Sequence, residues 1–551
     1  MKHFKIVIPF LLIVSMALAC AGQADPVQSS AAPAVQTQNV RLPLQILATS
    51  EIKLLEDAKI LDACKQKTGV QISIEYRGSV ELKQNLDTET AKAPKVHMYI
   101  VASPIWMTQA IARDKVSIMQ SVGVMVADEQ LASQMKWVTP TGITIGQVIE
   151  AAESKKLTLA MSSASLDDNG ASLLLASLTS IKGNSTVPLL IEDVSQGSPA
   201  LKKMESLYKA MKASGSNADR VREVMLKDHT SDKSQFNAAF LPEAMAIALN
   251  TQLIQAGKQP MRVFYVQGAV SLQTYTAAYV DGISQGQIDQ YHEFTDCLRS
   301  PEIQVMIRQQ GFRATYVGIT MPDADKKVFN PAWGVDTTTE FSLMLLPKEA
   351  VIAKALEMYQ TALRPPSFTV YCLDYSGSMG GDGITQLRAA MKLLLTQSEA
   401  TKEFLQASPG DITYALPFET NFRFEQSVEG NDAGKLASLY EALKNQNPNG
   451  GTNIYGCAKR AIELVQKARA DQIPAIILMT DGDHNGSVSY LEFKDAFDKA
   501  SKKAPIFSVM FGGAKKDQLD LLAKLSGGAV CDGRGGVEVF TRCFKIFKGN
   551  N

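Results

Sequence analysis

The chain has 551 residues, and its 56 Lys and Arg balance 56 Asp and Glu to a formal net charge of zero. That balance argues against a nucleic-acid binder, which carries a basic excess or stripe, and against a polyanionic disordered chain. With 45% apolar and 20% charged residues the composition is globular, and the length implies more than one domain, each able to bury its own core.

Lys2, His3 and Lys5 precede an apolar stretch over residues 6–19, shorter than the roughly 20 residues a membrane-spanning helix needs. Residues 1–19 read as an export signal ending Ala17-Leu18-Ala19 before Cys20. Two cleavage readings stand. Ala-x-Ala suits ordinary signal peptidase, whereas small residues before Cys20, followed by Ala21-Gly22, resemble a bacterial lipobox with Cys20 as the lipidated residue. Residues 20–41, rich in Ala, Gln, Ser and Pro, read as a flexible tether that would hold folded domains off a membrane. The other cysteines are scattered, without CxxC or zinc spacing. Cys64, Cys297 and Cys457 fall in helical patterns and Cys372 in an apolar strand, so the expectation for these four is small buried hydrophobes. Cys531 and Cys543 are near enough in sequence to pair.

Residues 42–345 alternate short apolar strands with amphipathic helices, the pattern of α/β layers with largely parallel sheets. Strands over 42–48, 70–76 and 97–102 lead to Ser50, Ser79 and Ser103, at or near the starts of helices. Such helix starts present backbone N–H groups and a positive dipole end, suited to anions or polar ligands. Serine is equally a common N-cap; the convergence of three on one sheet edge is what raises a binding reading. Residues 157–161 start a second sheet leading to Ser165, Asn169 and Gly170. The segment order resembles type 2 periplasmic solute-binding proteins. Residues 122–126 correspond to a first hinge strand and 260–266 to the return. Glu243 and Asn250 lie on a helix, and residues 294–311 follow as helices. The resemblance implies a two-lobed fold closing on a small solute between Ser50, Ser79 and Ser103 on one side and Ser165, Asn169 and Gly170 on the other. The stretch Leu166-Asp167-Asp168 departs from the Ser/Asn tendency there, and its acids would repel an anion unless they face away.

Residues 346–367 form a helical pattern stopped by Pro365-Pro366, the natural linker. In 368–551 a continuous apolar strand runs into Asp374-Tyr-Ser376-Gly-Ser378, Thr452 opens another helix, and a second strand ends Thr480-Asp481-Gly482. All donors are oxygens with only two carboxylates, a set that suits Mg²⁺ better than Zn²⁺, with Mn²⁺ and Ca²⁺ as alternatives. These five positions, Asp374, Ser376, Ser378, Thr452 and Asp481, resemble the metal-ion-dependent adhesion site of von Willebrand factor type A domains, which are doubly wound, Rossmann-like α/β folds. By that resemblance an acidic residue of a protein partner would complete the metal's coordination. Asp382, Asp483 and His484 read as solvated-loop residues.

The combination resembles bacterial substrate-binding and von Willebrand type A domain-containing lipoproteins. It implies a non-enzymatic binding protein of the cell envelope, held to the membrane by a lipid anchor and contacting no nucleic acid. A scaffold whose solute cleft is vestigial is the alternative. A metal-dependent hydrolase is a third, for which no general base at helical spacing, as in HExxH, speaks.

Overall fold

The structure, a computed structural model, describes residues 42–183, 187–313, 320–341 and 345–550. The export segment, the tether and Cys20 lie outside the described residues. No helix among the described residues is long and apolar enough to cross a membrane.

The first sheet holds β1 (Leu44–Thr49), β2 (Ile72–Arg77), β3 (Met98–Val101), β4 (Ala112–Ala127), β5 (Leu159–Ser162), β6 (Met211–Gly215), β7 (Ala238–Pro242), β8 (Arg262–Phe264) and β9 (Leu272–Val280). Its order is β2-β1-β3-β9-β4-β7-β5-β6, with β8 also on β4. β1, β2 and β3 are mutually parallel, as are β5, β6 and β7, whereas β9 runs antiparallel to β3 and β4. The 16-residue β4 joins two sub-sheets. Ala112 to Val122 pair with β9, and Gly123 to Ala127 pair with β7. The expected hinge residues 122–126 therefore sit where the chain passes from one sub-sheet to the other. Of the expected return segment, β8 pairs with the far end of β4, and β9 carries the chain back.

The second sheet holds β10 (Ser367–Asp374), β11 (Ile412–Phe418), β12 (Gln426–Glu429), β13 (Ile473–Thr480), β14 (Ile506–Met510) and β15 (Val530–Asp532), in the order β12-β11-β10-β13-β14-β15. Only the β11–β12 pair is antiparallel. β10 and β13 read as continuous apolar runs because each is covered on both faces. Phe368, Val370 and Cys372 pack in one core layer, and Leu373 with Tyr375 in the other. The molecule is thus an α/β protein with a mixed first sheet and a mostly parallel second one.

The linker helix Glu349–Met358 ends in a wider turn at Tyr359–Leu363. Val351, Ala355, Leu356 and Tyr359 join the core of the first region, and Tyr359 meets the Tyr208 ring edge-on, 5.4 Å between centroids. The helical pattern expected over the linker is thus a helix packed on the first region.

The expectation of unpaired cysteines at 64, 297, 372 and 457 fails, whereas the possible Cys531–Cys543 pair is formed. Cys64–Cys297 and Cys372–Cys457 are disulfides, as is Cys531–Cys543. Helical and strand patterns hid the pairs, since Cys64 and Cys297 face each other from two packed helices (Ile60–Thr68 and Gln285–Arg299) that are 233 residues apart in sequence.

Candidate functional sites

At the carboxyl end of β10, Asp374 is fully buried. Its Oδ1 accepts from the Ser376 N–H at 2.8 Å and its Oδ2 from the Thr480 hydroxyl at 2.6 Å. The Ser376 and Ser378 hydroxyls lie 3.0 Å apart, and Ser378 donates to Asp481 Oδ1 at 2.8 Å. Thr452 is brought in by Gly482: a Cβ on that glycine would sit 3.1 Å from Ser378 Oγ and 3.3 Å from Thr452 Oγ1. The backbone around Thr452 is fixed by Asn485, whose Oδ1 accepts the Thr452 N–H at 2.6 Å, and by Asn453, which caps the helix Ile454–Val465. All five sequence-selected oxygen donors therefore border one spot at the sheet edge, where open α/β sheets place their ligands.

Burial pushes the Asp374 carboxyl up to about 6, against the Thr480 and Ser376 hydrogen bonds that favour its charge. Asp481 is raised as well, chiefly by burial. Among the described residues neither carboxylate forms an ion pair; crowded with hydroxyls they make a donor set that a divalent ion would neutralise, and Gly383 and Gly512 leave Asp481 room that a side chain would fill. The residues present fit such an ion. No group of three His, Cys, Asp or Glu able to hold a metal occurs among the described residues, so any metal here rests on hydroxyl donors. Of the neighbouring residues, Asp382 opens the helix Asp382–Leu395, Asp483 pairs with Lys515, and His484 lies against the Tyr455 ring.

Of the six expected ligand residues in the first region, Ser50, Ser79, Ser165 and Asn169 have their side chains engaged within the protein. Ser50 Oγ contacts Glu51 at 3.3 Å. Ser79 Oγ accepts the Ala102 N–H at 2.9 Å. Ser103 precedes the short turn Pro104–Trp106 without capping it through its side chain. Ser165 accepts from Gln360 of the linker helix. Asn169 donates to the Phe240 carbonyl at 2.9 Å, and a Cβ on Gly170 would lie 2.3 Å from the Ser162 carbonyl. The two sides do meet. The helix Ser79–Thr88 offers its first amides, Val80 and Glu81, to the Leu166 carbonyl of the opposite sub-sheet, both at 3.1 Å. A backbone oxygen thus takes the position read as an anion site. Glu243 and Asn250 are structural: Glu243 pairs with buried Arg313 at 2.7 Å, and Asn250 bonds Met261 in both directions at 2.8 Å.

Asp167 and Asp168 do not face away. They are fully buried at the start of the helix Asp168–Lys182, beside Glu51 after β1. Glu51 was missed in sequence because it follows the conspicuous Thr49-Ser50 pair; Trp106, Gln273 and Tyr275, which hold the same cluster, gave no motif at all. Burial raises Glu51 to about 7, with the Asp168 charge adding and the Thr49 hydrogen bond opposing. A groove of about 740 Å³ between the helices Ala218–Thr230 and Lys516–Ser526 shares no lining residue with either cluster.

Both clusters lie at the carboxyl ends of sheet strands, where open α/β folds place their ligands. Residues 44–313 match the family model of bacterial extracellular solute-binding protein, and residues 369–531 match that of the von Willebrand factor type A domain. The chain carries a bacterial extracellular solute-binding domain followed by a C-terminal von Willebrand factor type A domain. Among solved structures it is similar to a periplasmic thiamin binding protein (12% identity, TM-score 0.43, covering 57% of this chain and 96% of that one). It is also similar to iron-bound HitA from Pseudomonas aeruginosa (15%, TM-score 0.38, 57% and 96%) and to von Willebrand factor type A from Catenulispora acidiphila (19%, TM-score 0.28, 34% and 42%). No curated protein matches the chain. The extracellular family and the three disulfides mark an exported protein.

Proposed function

We propose that this is a non-enzymatic binding protein of the cell envelope, lipid-anchored through Cys20 and tethered by residues 20–41. Its first domain takes a small solute between the sub-sheets. Its second engages a protein partner through a divalent ion, Mg²⁺ in the first instance. Asp374, Ser376, Ser378, Thr452 and Asp481 would hold the ion, which supplies a Lewis-acidic position for an acidic side chain of the partner. The observation that carries this reading is the hydrogen-bonded run Thr480–Asp374–Ser376–Ser378–Asp481 at one sheet edge. Asp374 and Asp481 supply charge, the hydroxyls supply neutral donors, and the disulfide Cys372–Cys457 ties β10 to the helix opened by Thr452. Calorimetry tests it: the wild-type chain takes up Mg²⁺ and Asp374→Ala does not. Equal Mg²⁺ uptake by both would refute the metal assignment.

The scaffold reading is favoured by one observation, the Leu166 carbonyl seated on the Val80 and Glu81 amides. Thermal stabilisation by a solute, abolished in Ser79→Trp, excludes it; at a hundredfold excess over Kd the expected gain is about 2.7 kcal/mol.

A further inference from the structure

The interface between the sub-sheets buries three carboxylates. Glu51 comes from the short turn after β1, and Asp167 and Asp168 from the start of the helix after β5, so both sub-sheets contribute at the carboxyl ends of their strands. Asp168 is well held, accepting from Trp106 Nε1 at 2.6 Å, Ser172 at 3.0 Å and Gln273 Nε2 at 3.2 Å. Glu51 accepts from Thr49 at 2.6 Å and Tyr275 at 3.4 Å. Asp167 differs. It stands at the N-cap of the helix Asp168–Lys182 yet makes no side-chain capping bond, and neither carboxylate oxygen has a hydrogen-bond partner. The neighbouring Ser162 hydroxyl and Asp168 amide favour its charged form without meeting hydrogen-bond geometry. Among the described residues no Lys, Arg or His forms an ion pair with any of the three; the buried guanidiniums of Arg222, Arg313 and Arg364 are paired with Asp219, Glu243 and Asp411.

A buried carboxylate is retained either protonated or matched by positive charge with its lone pairs satisfied. We propose that the solute of this cleft is an organic cation, an ammonium or guanidinium group whose N–H donors meet Asp167 and whose charge is balanced by Glu51 and Asp168. The proposal rests on the reading of the first domain as a solute binder. The three acids do not converge into a group able to hold a metal ion. The same arrangement excludes an oxyanion, which would meet three carboxylates and find the Val80 and Glu81 amides already bonded to Leu166.

The test uses the full chain with Mg²⁺ saturating and reads melting temperature and calorimetric affinity. The cationic probes are putrescine, spermidine, agmatine and arginine. Sulfate, phosphate, molybdate and maltose form the counter-panel, and Ca²⁺ and Mn²⁺ are titrated into Asp374→Ala. The expected result is that a cationic organic probe raises the melting temperature, and that Asp167→Asn and Glu51→Gln each weaken it at least tenfold. Both variants should unfold as cooperatively as wild type and keep the Mg²⁺ response of the second domain. Stabilisation by an anion or sugar but by no amine overturns the cationic class while leaving the solute reading intact. Metal uptake in Asp374→Ala that Asp167→Asn abolishes overturns the organic assignment. Silence in every arm overturns the proposal and the solute reading together.

Discussion

Glu51 offers a direct measurement of what the buried acids cost the protein. Its carboxyl is fully buried and raised from the ordinary value of 4.5 to about 7, first by burial and then by the Asp168 charge. A raised carboxyl binds its proton more tightly in the folded state, so folding is favoured while the group is protonated in both states, below about pH 4.5. Between pH 4.5 and about 7 the unfolded chain ionises first, and each pH unit removes about 1.4 kcal/mol. The loss over the interval is about 3 kcal/mol, and it stays constant above about pH 7. Glu51→Gln removes this dependence while keeping the contacts. The amide oxygen accepts from Thr49 where Oε2 does now, and the amide nitrogen takes the Oε1 position, 3.4 Å from Tyr275 Oη. The assay is thermal unfolding of wild type and Glu51→Gln across pH 4.5 to about 8.5 without added solute, read as the difference between the two so that other groups cancel. The variant is expected to match wild type at the acid end and to gain several degrees at the alkaline end. A difference that does not change with pH would refute the reasoning, since it would mean that Glu51 does not ionise at a raised pH.

Gly78→Ala places a Cβ 2.2 Å from the Leu166 carbonyl, a backbone atom that cannot swing aside. It is expected to destabilise the first domain by about 1–3 kcal/mol, measured by urea unfolding, with hydrogen exchange of the Val80 and Glu81 amides accelerated. Arg364 holds Asp411 through two hydrogen bonds, one of 3.0 Å from Nη1, and both side chains are buried. Arg364→Ala leaves that carboxylate to the Ser367 and Ser408 amides and the Lys548 charge and is expected to cost about 3 kcal/mol. Burial would raise Asp411, yet Arg364, the Lys548 charge and the Ser367 amide hold it down at about 2. Its contribution, about 2 kcal/mol, is therefore present above about pH 4 and lost as pH falls toward 2. Acid unfolding curves of wild type and Arg364→Ala should converge over that range.

The strand–loop edges of the second domain were legible because Asp374 and Asp481 each end an apolar run, whereas Thr452 was legible from the Gly450-Gly451 pair before a helix. Residues 368–373 announce a doubly covered strand, and the polar residues begin where it ends. In the first domain, β9 escaped notice because Gln273, Thr274 and Thr276 interrupt its apolar character, though Gln273 and Tyr275 are the residues that tie Glu51 to Asp168. The Asp167-Asp168 departure was visible, but its direction was not, because a side chain at a helix start can point to solvent or inward depending on a partner from distant sequence. The disulfides escaped for the same reason. Cys372 and Cys457 are 85 residues apart and become neighbours only once the helix after Thr452 packs on β10.

Cys64–Cys297 has a topological consequence. β5, β6, β7 and β8 all lie between the two cysteines in sequence, so the entire second sub-sheet is contained in one covalent ring. A protease that cuts anywhere inside that ring opens it without releasing a fragment. Clipped chains would run at full mass until a reductant is added, and the two sub-sheets of an exported protein would stay joined through a cut in any loop connecting them.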